Sequence, residues 1–185
     1  MKIMKQYSFL LESNIQNSID GLKKFYNTLD YGTVLDGKIY TGKKLTARII
    51  DKAHILSPNE IRKYKVGTCY DTTGYSYKML SDWGVKFKSY LFTTRKEYDK
   101  VKGIWDDPTH TFLIYLDNSD NKWHWLEGSW GNYIGNNYSE QDPIKLVSII
   151  KALLDKSNGK GYIKEIKKYP KFGISYHDFY KELMS

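Results

Sequence analysis

The stretch "THTFLIYLDNSDNKWHWLEGSW", residues 109–130, constrains this chain more than any other. Apolar and β-branched residues run to Leu116, the polar "DNSDN" follows, and a tryptophan-rich run closes the segment. Two β-prone runs around a short polar turn specify an antiparallel hairpin. Residues directly opposite each other in such a pair share a face of the sheet. With "DNSD" as a four-residue loop, His110 stands opposite Glu127; with five residues in the loop, it faces Gly128. The first register makes a histidine–carboxylate dyad at the open end of the hairpin. A carboxylate in that position fixes the imidazole tautomer and stabilises the imidazolium.

A second stretch, "KVGTCYDTTGYSYKML" (65–80), holds the only cysteine, Cys69. Thr68 reads as a helix N-cap with Asp71 three residues on, which predicts a helix over 69–82 closed by Gly84. Cys69 then lies in the first turn. The positive end of the helix dipole favours a thiolate there, and free N–H groups can hold an oxyanion. Asp71 opposes a thiolate unless capping occupies it. Just upstream, Ser57, Pro58 and Glu60 mark the start of a short helix. Periodicity also predicts an amphipathic helix over 8–29, a hairpin around Asp36-Gly37, and a strand in "VKFKSYLFTT". A helix runs from Pro143 to Asn158-Gly159, with a strand at 162–166 and a helix at 176–184. The fold class is α+β. The 185 residues make one domain: an N-terminal helix and hairpin region (1–56), a catalytic-type core (57–135), and a C-terminal helix with a basic tail (136–185).

Composition narrows the function classes. The N-terminal apolar core is only Phe9 to Leu11, too short for a secretory signal, and no run approaches a membrane span. The expectation is a cytoplasmic protein with no membrane partner. One cysteine cannot close an internal disulfide. The net charge is +8, yet residues 61–144 carry 11 basic and 11 acidic residues, so the excess lies at the two ends. No helix-turn-helix, zinc-finger or RNP pattern accompanies it, and nucleic acid is not expected as a partner. A single Cys and scattered His fit no metal-ligand spacing, so no metal is expected. His124 reads as a packing or surface residue, His54 and His177 as surface residues without partners, and Asp106 and Asp107 as turn residues.

"GTCYD", "THTFLIY" and "WHWLEGSW", in that order, resemble the transglutaminase-like superfamily, a papain-like cysteine fold. The resemblance covers about residues 57–135, with 41 positions from Cys69 to His110 and 17 from His110 to Glu127. It implies a helix-borne nucleophile packed on an antiparallel sheet, with Cys69 as nucleophile, His110 as base and Glu127 as orienter. Asp is usual at the third place, so Glu127 is a departure. A second oxyanion donor would come from a side chain upstream of the Cys; Tyr64 is the candidate. Trp105, Trp125 and Trp130 are candidates for a substrate groove, although core and rim packing explains the same cluster. The implied chemistry is cofactor-free acyl transfer from an amide of a protein or peptide substrate to water or an amine. The same residue order also resembles papain-like cell-wall amidases and endopeptidases, where the Cys-to-His separation is longer. A non-catalytic interaction domain on the same fold is the alternative from another class.

Overall fold

The computed structural model describes residues 18–94, 108–135 and 138–185. These form an α+β arrangement of two sheets with helices packed against them. Among the described residues no helix is long and apolar enough to cross a membrane.

The described residues begin in helix α1 (18–26), which buries Ile19, Leu22 and Tyr26 on one face. The expected helix over 8–29 thus ends at 26, and its part before residue 18 lies outside the described residues. Strands β1 (Asp30–Leu35) and β2 (Lys38–Thr41) form the expected hairpin. Its two turn residues, Asp36 and Gly37, have φ of 50° and 73°, the left-handed values a tight hairpin turn needs. Helix α2 (Ala47–Lys52) leads to α3 (Pro58–Tyr64), which carries the Ser57–Glu60 capping box. Lys65 stops α3 at φ 55°, and the short β3 (Val66–Gly67) pairs in parallel with the start of β1. That pairing sets Tyr31 opposite Gly67, two residues before Cys69.

Helix α4 (Cys69–Asp82) follows. The main sheet is built from β4 (Phe87–Thr93), β5 (Thr109–Asp117), β6 (Lys122–Leu126), β7 (Ser139–Glu140) and β8 (Tyr162–Ile166), in the order β7-β6-β5-β4-β8 and antiparallel throughout. Alternation along β5 sorts its side chains to two faces. Leu113 and Tyr115 join the cluster under α1 and α4, while Phe112 and Ile114 face α5 (Pro143–Asn158). Leu146, Ile150 and Leu154 of α5 recur at four-residue steps and are almost fully buried. Burial of each contributes about 1.5–3 kcal/mol. Helix α6 (Tyr176–Met184) seats Tyr176, Phe179 and Tyr180 against Tyr70, Leu91 and Ile166 in a third cluster, which includes Cys69.

The central hairpin has a four-residue loop displaced by one position from the expected one. Asp117 pairs with Lys122, and residues 118–121 turn, with Asn121 at φ 57°. The pairing therefore shifts by two residues. An even shift leaves every side chain on its face, whereas a slip of one would have exchanged them. Extended outward, this register puts Phe112 opposite Glu127. His110 and Glu127 become diagonal neighbours on the face toward α5.

Candidate active site

Asp71 builds the start of α4. Its Oδ2 accepts from the Thr68 N–H at 2.7 Å and the Thr68 hydroxyl at 2.8 Å, closing a capping box. Its Oδ1 accepts from the Leu56 N–H at 2.7 Å, and the Tyr176 hydroxyl donates to Oδ2 at 2.6 Å. One carboxyl thus ties the helix of Cys69 to the preceding loop and to α6. Burial pushes its pKa up to about 6, against the pull of these hydrogen bonds. Capping occupies Asp71 fully, as its place three residues after Thr68 suggests.

The first turn of α4 meets the first residues of β5. The Tyr70 hydroxyl lies 2.6 Å from Thr109 Oγ1, and the Thr73 hydroxyl donates to the Thr111 carbonyl at 2.9 Å. This contact brings Cys69, the first residue of α4, to His110, the second of β5; their side chains are hydrogen-bonded. His110 Nε2 lies 2.8 Å from Glu127 Oε2, which leaves Nδ1 for the sulfur. Glu127 Oε1 accepts from the Ser129 and Trp130 N–H groups at 2.8 and 3.0 Å and from the Ser129 hydroxyl at 3.1 Å. Both carboxylate oxygens are therefore engaged, one by the turn that follows and one by the imidazole. The longer side chain of Glu suits the diagonal step from His110, which a directly opposite pair would not require.

Charge and burial compete at this dyad. Burial alone would lower the His110 pKa, but the Glu127 charge and hydrogen bonds to Cys69 and Glu127 outweigh it and push it up to about 10. Burial likewise opposes the Glu127 charge, and the His110 charge with the turn N–H groups holds its carboxyl below the usual range. The resting pair is imidazolium and carboxylate.

Gly128 lets Glu127 sit there. A Cβ on it would lie 2.7 Å from the Thr72 Cβ and 3.0 Å from a Tyr26 ring carbon. Gly128→Ala is expected to cost about 1–3 kcal/mol of stability and to push the 127–130 turn off α4. Chemical denaturation measures the first effect, and a changed His110 NMR titration reports the second. An unchanged titration would mean that the turn holds Glu127 without this close approach.

Tyr31, which sequence reading missed, completes the surroundings of Cys69. Its hydroxyl hydrogen-bonds the Cys69 side chain. Burial of that end, with negative charge on Cys69, Asp71 and Glu127 nearby, holds the phenol well above its ordinary range. The residue as a whole is 43% exposed, so the ring lies at the surface while the hydroxyl reaches inward. Its only sequence signal is its pairing partner two residues before the cysteine, and that pairing is long-range. Tyr31, Thr109, His110, Ser129, Trp130 and the C-terminal end of α5 line a cleft of about 290 Å³. Cys69 itself is only 2% exposed.

The other residues singled out fall in several places. Tyr64 packs against the cluster under α1, with Lys63 Nζ 4.7 Å from its ring centre. Trp130 lines the cleft, 5.8 Å from the His110 ring centre and edge to face with it. Trp125 is buried in the α5 cluster against Trp130, Tyr133 and Tyr138. Trp105, Asp106 and Asp107 lie outside the described residues. His54, expected to lack a partner, pairs with Glu60 at 3.0 Å. His124 stacks on Tyr115 and bonds Asp120 at 2.9 Å. With Asp117 they form the one group among the described residues with a metal-like spacing of ligand atoms, within 4.8 Å. The turn accounts for it, since Asp117 and Asp120 accept the N–H groups of Ser119 and Lys122. No family model, curated protein or solved structure matches the chain.

Proposed function

We propose that this protein has a papain-like, transglutaminase-like core and catalyses acyl transfer from an amide through a Cys69 thioester. The observation that carries this is the continuous chain Cys69–His110–Glu127, with the cysteine on the first residue of a helix. The Cys69 sulfur attacks the carbonyl carbon, and the C=O electron pair moves to oxygen. His110 then passes its Nδ1 proton to the leaving nitrogen, the C–N bond breaks, and the amine departs. Water or an amine next adds to the thioester, loses a proton to His110, and expels the sulfur. Glu127 holds the imidazole through both halves. The Cys69 N–H, in a first turn whose amides lack intrahelical acceptors, faces the oxyanion. A protein or peptide supplies the amide.

One observation favours a non-catalytic domain instead: the near-complete burial of Cys69. Alkylation separates the two. With iodoacetamide as probe, the wild type is expected to react rapidly below pH 7, and His110→Ala at least about tenfold more slowly there. A rate that rises only above about pH 8.5 and is equal in both proteins marks an ordinary thiol. That result would remove the enzyme in favour of the structural domain.

A further inference from the structure

We propose that the cavity between α1, the end of α3 and the C-terminal half of α4 binds a small aromatic carboxylate. It measures about 380 Å³, within the range of ligand pockets. Met79 on its wall and Cys69 lie near opposite ends of α4, about 15 Å apart along the helix. The site is thus separate from the cleft at His110 and does not depend on the acyl-transfer reading.

Its walls carry aromatic rings and its charges are positive. Phe25, Tyr75 and Trp83 line it, with the Phe25 and Tyr75 ring centres 5.7 Å apart. Arg62 and Lys65 are the charged side chains of the lining. Arg62 Nε donates to the Tyr75 hydroxyl at 2.8 Å, which fixes the guanidinium, and Nη2 reaches the Met79 sulfur at 3.9 Å. Lys65 Nζ stands 4.4 Å from the Phe25 ring centre. Both cations lie against apolar or phenolic groups, and among the described residues neither forms an ion pair with a carboxylate. Asp82, at the end of α4, is held by Lys78 at 2.8 Å. Rings therefore await an aromatic body, and the terminal N–H groups of Arg62, with Lys65 beside them, await a carboxylate.

Gly21 supplies an independent observation. It lies inside helix α1, where glycine is less stable than alanine. A Cβ there would meet nothing within 4 Å, and its φ is not in the left-handed region, so neither packing nor conformation calls for glycine. What the missing side chain leaves is open space on the cavity wall.

The test titrates the full chain, labelled with ¹³C at the methionine methyl groups, with 2-naphthaleneacetate and with its neutral amide. The Met79 methyl signal is expected to shift saturably with the carboxylate, while that of Met184, which packs in the cluster under α6, stays in place. The amide is expected to bind at least about tenfold more weakly, the effect of losing one charge-assisted contact. Arg62→Gln and Lys65→Gln should each weaken the carboxylate by about tenfold and leave the amide unchanged. Gly21→Leu should abolish the Met79 shift while its thermal transition stays at or above that of the wild type, since leucine is the better helix former.

A Met79 signal that does not saturate would overturn the proposal. Equal affinity for carboxylate and amide would also overturn it and leave an apolar hollow without selection for an anion. Binding that survives Gly21→Leu unchanged would place the ligand elsewhere and sink the assignment of this cavity.

Discussion

Replacing Asp71 with alanine is expected to lower stability by about 4 kcal/mol or more. The native state of a domain this size is stable by only about 5–15 kcal/mol, so the variant stands near unfolding. The cause is the number of donors that converge on one carboxyl: the Leu56 and Thr68 N–H groups and the Thr68 and Tyr176 hydroxyls. The residue is fully buried, so water cannot replace the lost acceptor. Urea unfolding followed by circular dichroism measures the loss. Tyr176→Phe, which removes one donor together with its partner bond, is the mild companion. The same carboxyl has a pH signature. Its folded pKa, raised to about 6 from 3.8, makes its contribution greatest when protonated and smaller as pH rises from about 4 to about 6. Stability of the wild type relative to Asp71→Asn should therefore fall across that window. A flat difference would mean that folding leaves the pKa of this carboxyl at its ordinary value.

Glu127→Gln is expected to cost about 3–5 kcal/mol near pH 6, the range for leaving one partner of a buried ion pair uncompensated. Here the two pKa shifts set the window. His110, raised from 6.5 to about 10, contributes stability that is complete below about 6.5 and is lost as pH climbs toward 10. Glu127, lowered from 4.5, contributes stability that is present above 4.5 and is lost as acid protonates it. The difference between wild type and Glu127→Gln should thus peak between about pH 4.5 and 6.5 and shrink on both sides. In the variant the His110 titration, followed by NMR, should drop from about 10 to near or below the ordinary value of about 6.5. Persistence of a high titration would show that Cys69 alone holds the imidazolium. Glu127→Asp is expected to restore the charge without the bond, because the shorter side chain falls short of the diagonal step to His110.

Both residues illustrate a division between local and long-range information. The helix of Cys69 was legible because its signals are local: Thr68 and Asp71 cap it, and Gly84 at φ 67° ends it. The same holds for the turn at Asp36-Gly37, for Pro143 and Gly159 at the ends of α5, and for the Ser57–Glu60 box. The dyad of His110 and Glu127 was legible for a related reason. The period of a strand is two residues, so parity alone puts both on one face, and the two-residue shift in register did not disturb it. That shift was not legible, because "DNSDN" accommodates a four-residue turn starting at either of two positions, and Asn121 takes the left-handed conformation that decides between them.

The sequence by itself therefore determined which residues the proposed chemistry draws on: a lone cysteine on a capped helix start, and a histidine and a glutamate on one face of a hairpin. Short-range caps, turns and alternation are enough for that. Tertiary structure alone decided what surrounds them. It set Tyr31 beside the sulfur through the long-range pairing of β1 with β3, closed the Asp71 network through Tyr176 more than a hundred residues away, and buried Cys69 under those contacts. Each of these depends on how distant segments pack, and no periodicity within a segment encodes which distant segment will meet it.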